Sequence, residues 1–134
     1  MDNSGKSVFG LDQNVAAGLA YLPICLCHLI VSIGIIATDK TNKLPRFHAF
    51  QSLMLSALMI VGYIVMIVVG AVIMVVAGAA DVPALGFLAL IAYFVFLLFI
   101  LLLVIGLIIS CIKGFQGQIF KLPIIGNLAD KWSN

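Results

Sequence analysis

The sequence predicts an all-α integral membrane protein: a three-helix bundle followed by a C-terminal amphipathic segment lying in the membrane interface. Three observations carry this. The chain has 134 residues, 64% of them hydrophobic and 9% charged, with a mean hydropathy of +1.29, whereas a soluble domain is about half apolar and about a quarter charged. The apolar residues gather into three long stretches separated by short polar punctuation. None of these stretches alternates as barrel strands do, so helices are the way to satisfy their backbone groups in lipid.

The elements follow in order. Residues 1–14 form a polar tail with Asp2, Lys6 and Asp12. Its start lacks a basic region and its first apolar run is long for a signal peptide, so no cleaved leader is expected. A first span is expected over 15–37. A turn follows at 38–46 (TDKTNKLPR), closed by Pro45, which disfavours helix at Leu44. The second span covers 47–78 and contains neither charge nor proline. A connector at 79–84 holds Asp81 and Pro83, and a third span covers 85–112. About 20 residues cross a hydrocarbon core of about 30 Å. The second and third stretches are therefore each one helix, tilted or projecting into the headgroups. In the segment 113–134, Phe115, Ile119 and Leu122, and beyond Pro123, Ile125, Leu128 and Trp132, fall at helical spacing. Such a segment lies in the interface plane.

Charge sets orientation. Lys40, Lys43 and Arg46 follow the first span, and Lys113, Lys121 and Lys131 follow the third, while the connector holds Asp81 and no cation. Cytoplasmic segments retain Lys and Arg. Three crossings then put the N-terminus, with Lys6 alone, outside and the C-terminus in the cytoplasm, as expected in a bacterial inner membrane. Seven Lys plus Arg against five Asp is no nucleic-acid footprint. Cys25, Cys27 and Cys111 all lie in apolar runs, where a thiol behaves as a small hydrophobe.

Polar residues inside the spans mark candidate sites. Tyr21, Cys25, His28 and Ser32 share one helical face, and His48, Ser52, Ser56 and Tyr63 form a second stripe. The two stripes are expected to face each other. Gly62, Gly70 and Gly78, at intervals of eight, with Ser52 and Ser56, suit close helix packing. His28 is an ionisable group within a span, hence a candidate site. One reading makes it a neutral imidazole bonded across helices to Ser52, Ser56, Tyr63 or a carbonyl. The other makes His28 or His48 an axial ligand to a tetrapyrrole, haem or chlorophyll. Two candidate ligands, His28 and Cys25, fall short of a metal site. Arg46 and His48 at the end of the second span, with Lys121 and Trp132, are expected at lipid headgroups. No Asp lies inside a span and the chain has no Glu, so the paired carboxylates of acid–base chemistry are missing. No enzyme activity and no resident cofactor are expected.

Three segments together carry a family likeness: Asn14 to Leu22 (NVAAGLAYL), Arg46 to Leu53 (RFHAFQSL) and Gly117 to Gly126 (GQIFKLPIIG). In their order and spacing the chain resembles the bacterial small membrane proteins related to the Tic-type component of the chloroplast inner-envelope import machinery and to MamF-type magnetosome proteins. The resemblance implies the same multi-helix membrane fold and adds a pore or translocation role to the candidates. The leading expectation is a non-enzymatic structural or assembly subunit whose partners are lipids and other subunits or copies of itself.

Overall fold

The computed structural model describes residues 5–7, 10–22, 27–40, 42–80, 82 and 84–133. Among these it has five helices and no strand: α1 (Gln13–Leu19), α2 (Cys27–Thr38), α3 (Lys43–Ala80), α4 (Ala84–Phe115) and α5 (Ile125–Ser133). Among the described residues, only α3, with 38 residues, and α4, with 32, are long and apolar enough to cross a membrane. At about 1.5 Å per residue they measure about 57 and 48 Å.

The first apolar stretch departs from expectation. It is divided between α1 and α2, and α2, with 12 residues, reaches only about 18 Å, short of the roughly 30 Å core. The sequence carries the reason. Pro23 disfavours helix at Leu22, and the chain already leaves α1 at Ala20. Cys25, of the first polar stripe, lies outside the described residues.

Helix α3 also starts earlier than expected, at Lys43, with Pro45 inside its first turn. A proline is tolerated there because the first N–H groups of a helix have no intrahelical partner. Asp39 supplies an anchor just before it, its Oδ1 accepting from Asn42 N–H at 3.2 Å. At its far end α4 stops in a Schellman motif. Gly117 takes φ +69°, its N–H bonds Gly114 O at 2.9 Å, and Gln118 N–H bonds Lys113 O at 2.9 Å.

The chain divides into two compact units. The first holds residues 1–56 and 105–134, and every residue classed as buried lies in it. There α1 packs on the end of α4: a Cβ added at Gly114 would stand 2.9 Å from the Ala17 carbonyl, and Cys111 Sγ lies 3.6 Å from Gly18 O. Ser7 Oγ donates to Asp39 Oδ2 at 2.7 Å, and Asn42 Nδ2 donates to Lys6 O at 3.3 Å. The stretch from residue 7 to residue 39 therefore leaves and returns to the same place. Lys6 and Ser7 thus lie against the 38–46 turn, whereas charge counting set the tail opposite it.

The second unit, residues 57–104, is an antiparallel pair formed by the rest of α3 and α4. Its half-exposed residues, Gly62, Met66, Gly70, Ile73 and Ala77 on one helix and Leu85, Ala89, Ala92, Phe96 and Phe99 on the other, recur every three or four positions and mark the seam. At Gly62 the partner helix packs tightly, since a Cβ there would stand 2.9 Å from the Phe99 ring. A shallow apolar groove runs beside that point, lined by Leu58, Val61, Val65, Val95 and Phe96 among others.

Candidate functional site

The polar groups of the first unit converge on one buried network. Tyr21, His48, Gln51 and Ser110 are fully buried, and they arrive from the end of α1, from α3 and from α4. His48 Nε2 lies 3.0 Å from the carbonyl oxygen of Gln118. A carbonyl can only accept, so Nε2 carries the proton and Nδ1 of the neutral ring is the acceptor. The Tyr21 hydroxyl, 3.1 Å from Nδ1, accordingly donates to it. This hydroxyl in turn accepts from Gln51 Nε2 at 3.0 Å.

Gln51 ties the most elements together. Its amide nitrogen also reaches Ser110 Oγ and Phe120 O, each at 3.1 Å, so two hydrogens serve three acceptors. Its carbonyl oxygen accepts from Leu122 N–H at 3.2 Å. One side chain thus satisfies both a donor and an acceptor of the irregular strap between α4 and α5, a strap whose backbone makes no ladder of its own. Buried backbone groups left without partners are costly.

A second knot forms where α1 ends. The carbonyl of Ala20, released from the helix ladder, accepts from Ser52 Oγ and from Ser32 Oγ at 3.4 Å. The two serines come from facing helices, so the stripes of α2 and α3 meet there. His28 lies farther along the same contact, its Nε2 3.0 Å from Ser56 Oγ. Its Nδ1 is buried and has no partner among the described residues. Tyr63 is not part of the network; it belongs to the second unit and is 60% exposed.

The other expected site residues fall as follows. Arg46 Nη1 donates to the carbonyls of Asp39 and Lys40, at 3.3 Å each, closing the end of α2. His48, with both ring nitrogens engaged, is fully buried. Lys121 Nζ stands 2.8 Å and Lys43 Nζ 3.0 Å from the two oxygens of Asp130. These two cations hold the Asp130 carboxyl below the usual carboxylate range. Trp132 is half exposed and meets the Phe50 ring edge-on, centroids 6.0 Å apart. Of the three packing glycines, Gly62 touches Phe99, while Gly70 and Gly78 have open space where a Cβ would stand.

Sequence reasoning passed over Gln51 and Ser110. The signal for Gln51 was present, as an amide three residues after His48 on the same helical face. Nothing local marked Ser110, whose partner is 59 residues away.

No family model matches the chain and no solved structure matches it. It is 29% identical over 130 residues to a UPF0132 membrane protein of the archaeon Methanocaldococcus jannaschii, covering 96% of each chain. It is 25% identical over 124 residues to a second UPF0132 membrane protein of that organism, covering 92% of this chain and 71% of the other. These relatives overturn the assignment to a bacterial family of Tic and MamF type: the similar proteins are archaeal and bear a different family name. The translocation reading, which rested on that resemblance, loses its support. What stands is a small, all-helical membrane protein.

Proposed function

We propose that the protein is a non-enzymatic structural subunit of the cytoplasmic membrane, assembling with copies of itself or with a larger complex through the hairpin of residues 57–104. The observation that carries this reading is the contrast in burial. No described residue of that hairpin is buried, and a Cβ at Gly70 or Gly78 would meet nothing within 4 Å. In lipid, helices associate through close backbone approach at small residues. The polar side chains Tyr21, His48, Gln51 and Ser110 are spent on one another and on backbone, an arrangement that holds a shape. The reading includes no resident cofactor, and a purified preparation without a Soret band agrees with it. Lys121 and Trp132, about half exposed, meet lipid headgroups.

The same reading places both termini in the cytoplasm. All seven Lys and Arg residues lie in the segments 6, 40–46 and 113–131. Lys6 rests by the 39–42 turn, and Lys43 and Lys121 share Asp130. By the retention of positive charge on the cytoplasmic side, this end faces inward.

Native mass analysis of the protein extracted in mild detergent tests the assembly. A defined oligomer or a stoichiometric partner is expected, and a monomer that never retains a partner sinks the proposal. Reporters fused to the two ends test the topology: both are expected in the cytoplasm, and reporters on opposite sides would restore three crossings.

A further inference from the structure

The strap between α4 and α5 turns back along the helices that precede it. After the Schellman turn at Gly117 the chain doubles back beside α3 and α4. Gln118 O reaches His48, Phe120 O and Leu122 N–H reach Gln51, and the Leu122 side chain lies over Gly106, where an added Cβ would stand 3.1 Å from it. Gly106 is nine residues inward of Phe115, which is about 13 Å along a helix. The strap therefore climbs roughly that far from the end of α4 before it turns.

At the turn stands Ile124. Its φ is +66°, and it is the one non-glycine residue with a positive φ among the described residues. For a β-branched side chain that region is a genuine outlier, and it is held only where something offsets the strain. Ile124 is also 86% exposed, the highest value among the exposed large hydrophobic residues described. Residues 122–126, Leu-Pro-Ile-Ile-Gly, carry no charge. In water, a strained backbone and a bare isoleucine would both be unfavourable. Helix α4, long and apolar enough to cross a membrane, points to another setting. Ile105, Ile108, Ile109 and Ile112 are exposed on the stretch of α4 that Leu122 covers at Gly106, so apolar surface stands at the level of the tip.

We propose that residues 116–124 form a re-entrant element whose tip, Ile124, inserts among lipid acyl chains. The left-handed turn directs the side chain outward, and burial in hydrocarbon offsets the strain. The segment is thus a wedge into the bilayer, and only the return helix α5, with Trp132 by Phe50, lies near the headgroups.

Trp132 is the chain's single tryptophan, which makes the test direct. The full chain is reconstituted in phosphatidylcholine vesicles with bromine near the middle or near the top of the acyl chains, as wild type and as Ile124→Trp with Trp132→Phe. The high exposure of Ile124 leaves room for the larger ring. The Ile124→Trp probe is expected to emit at short wavelength, to lose most of its emission to mid-chain bromine and to resist iodide in the water. Native Trp132 is expected to respond more to bromine near the headgroups. Quenching of the Ile124→Trp probe by iodide in place of lipid bromine would put the tip in water. Quenching by neither would put it against protein, such as a second copy. Deeper quenching at Trp132 than at the probe would reverse the order of depths. Any of these three results overturns the proposal, and the wild-type measurement needs no substitution at all.

Discussion

The two units are built from the same two long helices and hold together by different physics. In residues 1–56 and 105–134, buried amides, hydroxyls and an imidazole bond one another and the backbone. In residues 57–104 there is a seam of small and aromatic residues, and no described residue is buried. A polar network is directional: each group has a few partners at fixed geometry, and losing one strands the others. An apolar pair in lipid is tolerant, because a helix face that leaves its neighbour meets acyl chains of similar chemistry. The first unit can therefore specify one arrangement, and the second is left open to partners.

That contrast can be broken most directly at Gln51. Leucine in its place leaves Leu122 N–H, Phe120 O and the Tyr21 hydroxyl each short of a bond, and with about 1–3 kcal/mol for a stranded buried group, a loss of about 2–4 kcal/mol is expected. Equilibrium unfolding in mixed micelles, followed by Trp132 emission, measures it. A loss no larger than that of an exposed apolar swap such as Met74→Leu, expected within about 0.5 kcal/mol, would dissolve the distinction between the units.

Glycine substitutions sharpen it with opposite signs. Gly114→Ala pushes a methyl into the backbone of Ala17 and Gly18, 2.9–3.0 Å away, and overpacking of this kind costs about 1–3 kcal/mol. Gly70→Ala meets nothing within 4 Å, and the gain in helix propensity stabilises the monomer by up to about 1 kcal/mol. Thermal melts of the two variants in the same detergent decide the matter; equal signs would contradict the packing described.

The smallest effect is expected at Asp130. Its carboxyl titrates below the ordinary range because Lys121 and Lys43 bond it. A depressed folded-state value means that the stabilising contribution is full above the ordinary carboxylate range and is lost as pH falls through the lower folded value. Wild-type melts should therefore drop slightly on acidification through that window, and Asp130→Asn should remove this drop. Screening by salt should shrink the difference between the two proteins.

How much of this was legible depended on range. The apolar runs of 47–78 and 85–112 needed no partner to be recognised, and α3 and α4 contain them. Pro23, a residue type that disfavours helix before it, was an equally local signal, yet the length of the 15–37 run outweighed it, so one span was expected where α1 and α2 stand. His48 was noticed as a polar residue near a span end, and its role was read from its neighbours Arg46 and Phe47. Its actual partners, Tyr21 and Gln118, lie 27 and 70 residues away, and no spacing rule reaches that far. The contact of Lys6 with Asn42, 36 residues away, is equally beyond the reach of charge counting.

The sequence by itself determined that the chain is helical, that it belongs in a membrane and that its cations bias one end, because hydropathy and charge are sums over residues. The tertiary structure decided that the stretch from 7 to 39 returns where it began, that the RFHAFQ segment binds the strap after α4, and that Ile124 stands at a strained tip. Those outcomes depend on which buried donor meets which acceptor across long separations in the chain, and a donor's partner is chosen only when the helices have packed.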